Sequence, residues 1–260
     1  MAARDEIVAF LDDLLAVRDW DDYGPNGLQV PGTKEVGVVA TGVSAHRELF
    51  ERAAAAGAQL VLCHHGLFWG GQPQAVTTAM KGRLKALFDS DLSLAAYHLP
   101  LDAHPGVGNN ALICERLGLE RAEPFGEAKG RHIGFVGRAD GGLPFEELWE
   151  RCRAIFTLRG EEGWETEPLV YAEGPRSVRS VGVVSGGGAG MLAEAAAAGL
   201  DALLTGEPSE PAMAEARESR IHFIAAGHYA TETLGIRRLG ELVAETFGVE
   251  HRFIDVPNPV

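Results

Sequence analysis

Two hydrophobic rhythms alternate along the chain. Ile7, Phe10, Leu11, Leu14 and Leu15 recur at helical spacing behind Asp5, a capping residue type, and the pattern stops near Trp20 at the turn-rich stretch Asp21-Asp22-Tyr23-Gly24-Pro25-Asn26-Gly27. Short apolar runs then alternate with amphipathic ones. They predict strands over 36–41, 60–63 and 92–97, and helices over 44–56 behind Ser44, over 80–88, and from Gly108-Asn109-Asn110 to Leu117, where Gly118 stops the last. The second half repeats the theme, with strands over 133–136, 181–184, 202–204 and 223–225 and helices over 144–155, 191–198, 211–218 and 231–247. This alternation predicts an α/β fold.

An internal echo points to duplication. Ala53-Ala54-Ala55-Ala56-Gly57, a strand and His64-His65 parallel Ala195-Ala196-Ala197-Ala198-Gly199, a strand and Gly206-Glu207. The polar stretch 120–130, broken by Pro124 and Gly126, is the expected boundary, giving lobes over 1–125 and 126–260. The last segment of the second lobe is expected to return to the site described next.

Composition narrows the function classes. The apolar share of 46% is ample for a core. A net charge of −14, with no basic run longer than Arg237-Arg238, leaves no footprint for a phosphate backbone, so direct nucleic-acid binding is not expected. Cys63, Cys114 and Cys152 lack metal-site spacing and fit a reducing compartment as apolar filler. Cys63, beside two histidines, keeps a second reading as a ligand. The first residues carry no signal-peptide pattern and no apolar stretch approaches ~20 residues, so a cytoplasmic protein without a membrane partner is expected.

The candidate chemistry lies in three segments that each follow a strand-like run: His64-His65, His98-Leu99-Pro100-Leu101-Asp102 with His104 behind it, and His228-Tyr229-Ala230-Thr231-Glu232. Neighbouring residues on a regular strand point to opposite faces, so His64 and His65 serve one ion only where the strand ends; two neighbouring ions remove the difficulty. A metal pair needs a carboxylate to offset the repulsion between dications ~3.5–4 Å apart, and Asp102 and Glu232 are available. Read as extended chain, 98, 100, 102 and 104 share a face, with Pro100 opposing a helix interior. His228 and Glu232, four apart at a helix start, share a side. A structural pair capping the strand end is the alternative for His64-His65, and for His104 a position beside the ligands or on the surface.

Other motifs fit poorly. Ser185-Gly186-Gly187-Gly188-Ala189-Gly190 lacks the Lys-Ser/Thr of a phosphate loop and has Met191 where a dinucleotide fingerprint needs its last glycine; a tight turn is expected, with anion binding left open. Neither a zincin helix nor a serine-hydrolase elbow is present. Phe68 and Trp69 either line a pocket able to stack a planar substrate or pack in the core.

Four stretches, Tyr23-Gly24-Pro25-Asn26-Gly27-Leu28-Gln29-Val30, His64-His65-Gly66-Leu67-Phe68-Trp69, His98-Leu99-Pro100-Leu101-Asp102-Ala103-His104-Pro105 with Gly108-Asn109-Asn110, and Gly227-His228-Tyr229-Ala230-Thr231-Glu232, together resemble the NIF-three-like dinuclear metal-binding proteins. Short bacterial members of that family are known as GTP cyclohydrolase I type 2 homologues. The resemblance implies duplicated α/β lobes sharing one dinuclear metal site, a toroidal homohexamer, and two divalent ions per subunit drawn from Zn, Fe, Mn, Co or Ni. It implies one ion on His64 and Asp102, another on His65 and His228, Glu232 bridging, and His98 just outside. A metal-dependent hydrolase follows, with His98 or His104 carrying the proton and a small-molecule substrate, a purine nucleotide being one candidate. The alternative is a non-catalytic ring that stores or senses metal or binds protein partners.

Overall fold

Apolar runs of four or more residues become the inner strands of two separate sheets. The computed structural model describes residues 1–72, 75–161 and 163–260, and the chain divides into two compact units, Met1–Leu101 with Gly235–Val256 and Asp102–Leu234 with Pro257–Val260. Both are α/β units built on one plan.

In the first unit the strands Val38–Ser44, Leu60–His65 and Ser93–Ala96 run parallel, with Glu250–Phe253 added parallel outside the first and Gly27–Val30 antiparallel outside the last. The parallel trio is covered on both faces, so its sequence is apolar throughout rather than alternating. Phe50 and Leu49 from the helix Arg47–Ala55 and Leu87 from Thr78–Asp89 pack on Val61, Cys63 and Leu94 to form the core. Cys63 is part of that core, its thiol pushed up by burial. Register pairs Ser44 with His65 and Cys63 with Ala96, so these strands finish together at their carboxyl ends, where chemistry in such sheets collects.

The second unit repeats the device. Ser177–Val184, Ala202–Thr205 and His222–Ala225 are parallel, flanked by Leu169–Ala172 on one side and by Arg131–Pro144 and Glu120–Ala128 on the other, all antiparallel to their neighbours. Phe156, Leu148, Val183, Leu204 and Ile224 anchor its core together with Cys114 and Cys152. The parallel strands end at Val184, Thr205 and Ala225, directly before Ser185, Gly206 and Ala226.

Several expectations need correction. The stretch 120–130 is no linker: Glu120–Ala128 and Arg131–Pro144 form a hairpin whose turn residues Lys129 and Gly130 both have positive φ, 53° and 78°, as a tight two-residue turn demands. Its polar composition is that of an exposed edge strand, and the whole hairpin belongs to the unit that begins at Asp102. Residues 99–103 are helical, not extended, because Pro100 sits in the first turn, where no backbone N–H is needed. Alternation therefore does not place Asp102 and His104 on one face. The helix after Ser44 starts at Arg47 and is capped by the His46 ring, which accepts from the Leu49 N–H at 3.4 Å. The last helix, His228–Phe247, begins three residues before the expected start, at the candidate ligand itself. No helix among the described residues is long and apolar enough to cross a membrane.

Candidate metal site

In the first unit three imidazoles gather at the carboxyl end of the sheet. His64 is fully buried, its Nδ1 2.9 Å from the Tyr97 carbonyl oxygen; His65 Nδ1 lies 3.0 Å from Ser44 Oγ; His98 Nδ1 lies 2.7 Å from Asp22 Oδ1. Each ring is thus oriented through Nδ1 by an oxygen partner, the arrangement that aims Nε2 at a metal. The rings touch, with centroids 4.8 Å apart for His64 and His65, 5.1 Å for His64 and His98, and 5.6 Å for His65 and His98. One nitrogen from each of the three falls within 4.8 Å of the others. Adjacent histidines meet because the strand stops at His65.

Asp22 anchors this group. Its carboxylate accepts from the Leu99 and Tyr23 N–H groups and from Asn26 Nδ2 as well as meeting His98. Burial pushes its pKa up, but the hydrogen bond and charge of His98, with the Asn26 and Tyr23 donors, outweigh burial and hold it below the usual carboxylate range.

The second unit gathers acids. Asp102, 4% exposed, accepts from Asn109 Nδ2 at 2.8 Å and Ser185 Oγ at 2.9 Å. Glu232, 2% exposed, lies 3.1 Å from His228 Nε2, while His228 Nδ1 meets Glu207 Oε1 at 2.5 Å. Asp102 and Glu232 each offer an oxygen within 4.8 Å of the other. Two buried carboxylates so close repel unless a cation or a proton joins them. Burial pulls the His228 pKa down, yet the hydrogen bonds and charges of Glu232 and Glu207 prevail and raise it to about 9.

Glycines make the close approach possible. A Cβ on Gly186, whose φ is +63°, would sit 2.4 Å from Glu232 Oε1, and one on Gly206 would sit 2.7 Å from the His228 Cα. The glycine-rich turn spends two of its amides internally, Gly186 N–H on Thr231 Oγ1 and Gly188 N–H on Thr205 Oγ1. His104 is placed as a turn cap: its Nδ1 accepts from the Gly106 and Val107 N–H groups, and burial, then the Arg121 charge, lower its pKa.

Residues 2–259 match the model of Duf34/NIF3, NGG1p interacting factor 3. The chain belongs to the Duf34/NIF3 family. Among similar relatives, a protein of Pyrococcus abyssi named GTP cyclohydrolase 1 type 2 homolog is 42% identical over 254 residues, spanning 98% of each chain, and one of Deinococcus radiodurans with the same name is 41% identical over 254 residues, spanning 98% and 93%. Solved structures agree: protein ybgI, titled as of unknown function, has a TM-score of 0.89 at 37% identity, and TTHA1606 from Thermus thermophilus a TM-score of 0.84 at 33%, each pair aligned over 100% of both chains.

For this Duf34/NIF3 chain the donor set fits a transition metal. Imidazoles with carboxylates suit divalent Zn, Fe, Mn, Co or Ni; His64, Asp102 and Glu232 are buried, while His65, His98 and His228 are half-buried and held through Nδ1 by oxygen partners. The structure gathers the expected His64, His65 and His98 in the first unit and Asp102, His228 and Glu232 in the second, beside supporting residues that the sequence reading did not single out. Asp22, Ser44, Asn109, Ser185 and Glu207 follow no ligand spacing; Glu207 carried a signal as the polar residue after Gly206 in the internal echo, Asn109 as part of Gly108-Asn109-Asn110, and Ser185 as the head of the glycine-rich turn.

Proposed function

We propose that this chain is a metal-dependent hydrolase in which the imidazoles of the first unit and the acids of the second serve one pair of divalent ions. The observation that carries it is the buried acid pair, Asp102 and Glu232, with oxygens within 4.8 Å, in a chain that also holds a preoriented imidazole cluster around buried His64. Two fixed anions in low dielectric make a strong cation site, and neutral imidazoles complete it without adding charge. His64 with Asp102 and His65 with His228 are assigned as ligands, and Glu232 as the bridge. When bound, the ions lower the pKa of a coordinated water and polarise the bond under attack.

The side chains supply the remainder. Asp22 accepts the His98 Nδ1–H, which fixes one tautomer and leaves His98 Nε2 to take and return a proton. His104, with Nδ1 engaged by its own turn, is the weaker candidate for that role. Asn109 and Ser185 hold Asp102 Oδ1, and Glu207 holds His228. The relatives' names point to opening of a nucleotide ring, and other cyclic amides present the same bond. The reading extends to a ring of six subunits in the cytoplasm.

The test combines elemental analysis, mass in solution, and turnover of nucleotides, pterins, cyclic amides and dipeptides by metal-loaded protein, with Glu232→Gln as control. About two ions per chain, a hexameric mass and turnover lost in Glu232→Gln are expected. Hydrolysis surviving that substitution overturns the mechanism, and full loading without turnover favours the metal-storing or scaffold reading.

A further inference from the structure

Beside the imidazole cluster, and wholly within the first unit, residues 68–72, 75 and 76 and the helix Thr78–Asp89 line an open cavity of about 410 Å³. Its walls include Phe68, Trp69, Val76, Met80 and Leu84, and Gln72 is the one polar side chain among its described lining residues. No charged side chain is among them, in a chain whose net charge is −14. The volume lies at the small-molecule end of known sites, too small for a partner helix.

Trp69 connects this cavity with the imidazoles. Its ring stands edge-on to His98 at 5.1 Å and 86°, and 5.7 Å from His65, while its Nε1–H donates to the Gly66 carbonyl and fixes the indole. The loop that carries it is latched from below: the Gly70 N–H donates to the Tyr23 carbonyl, and Gly24 must lack a side chain because a Cβ there would lie 2.3 Å from the Phe68 carbonyl oxygen. A rigid indole shared by an uncharged cavity and an imidazole cluster is a device for holding a flat apolar group with its reactive edge toward the imidazoles. Met80 and Leu84, four apart on one helix face, add soft aliphatic surface of the kind that packs on ring faces. Phe68, at 40% exposed, and Val76, at 66%, remain accessible at the rim.

We infer that this cavity is the specificity pocket of the site and takes an uncharged planar heteroaromatic ring, leaving any charged part of the ligand outside. The inference rests on the proposed function for the reaction the ring undergoes, but not for its binding. The two are separable because the cavity contains none of the assigned metal ligands.

Binding is measured by ligand-observed NMR, with metal content and mass in solution determined on the same samples, using pterin and hypoxanthine as flat probes and a piperazinedione as the saturated control. Both flat probes are expected to bind metal-free and metal-loaded protein at least about tenfold more tightly than the control. Met80→Glu, a half-buried position that puts a charge in the cavity, and Trp69→Ala are each expected to weaken the flat probes about tenfold with metal content and mass unchanged. Equal binding of flat and saturated probes, or undiminished binding in Met80→Glu, overturns the inference. A change of mass in Met80→Glu also overturns it, by assigning the cavity to a subunit contact. Metal-free preparations that bind the flat probes but never load two ions would instead overturn the proposed function and leave the pocket standing.

Discussion

The two halves of the ligand set are prepared differently. In the first unit the imidazoles lean on a carbonyl, a hydroxyl and one buried carboxylate, partners that orient a ring. In the second, His228 lies between Glu207 and Glu232, whose hydrogen bonds and charges outweigh burial and raise its pKa to about 9. The raised pKa of His228 means that a cation taking its nitrogen would have to displace a proton. Metal binding at neutral pH is therefore coupled to proton release, and the coupling resides in the second unit.

The largest effect is expected from removing the acid that joins the two roles. Glu232→Gln takes away a buried charge from the carboxylate pair and a partner from His228, and should weaken metal binding by at least about a hundredfold in competition with a chromophoric chelator. A drop below about threefold would show that the buried acids are structural.

Next comes pH. Because the folded pKa of His228 is raised above the ordinary value near 6.5, its stabilisation is present in full below about pH 6.5 and is lost as pH rises through about 9. In chelator, the metal-free protein should lose about 2–3 kcal/mol between about pH 6 and pH 9.5 in denaturant titrations. Glu207→Gln should flatten that slope, and an unchanged slope would remove Glu207 from the account. Asp22 has the opposite sign: its lowered pKa gives stability present above about pH 4 and lost as pH falls further. The second unit's polar set is sensitive to alkali and the first unit's to acid.

Smaller effects separate orientation from charge. Asp22→Asn keeps the shape but places an amide opposite donors, and should cost about 1–2 kcal/mol of stability while releasing His98 from one tautomer, read as a changed imidazole nitrogen shift in NMR. Ser44→Ala removes a single hydroxyl from His65 and should lower metal affinity about tenfold with stability altered by less than about 1 kcal/mol. Equal losses from Ser44→Ala and Glu232→Gln would erase the distinction between the two halves.

How far these features could be read without coordinates follows from which forces are local. The parallel strands were legible because burial on both faces leaves an uninterrupted apolar run, and the candidate ligands stood out because three short motifs each follow such a run. The hairpin at Glu120–Ala128 was not, since an exposed edge strand has the composition of a linker. Pro100 misled for a related reason: it forbids a helix interior but favours a first turn, and only the position of the helix start, at Leu99, decides between them. Glu250–Phe253 joins its sheet beside Val38–Ser44 across some two hundred positions, a pairing no local pattern announces. The supporting residues were hidden likewise. Asp22 meets His98, and Ser44 meets His65, through sheet register and loop closure rather than spacing.

The proposed function depends most on whether its assigned ligands hold one closely spaced pair of ions. Electron paramagnetic resonance of protein loaded with manganese addresses it directly, because two Mn ions ~3.5–4 Å apart exchange-couple and isolated ones do not. A coupled signal at two equivalents, replaced by an isolated-ion spectrum in both His65→Gln and Glu232→Gln, is the expected result. Two uncoupled signals in the unaltered protein, each lost with only one of the substitutions, would contradict it.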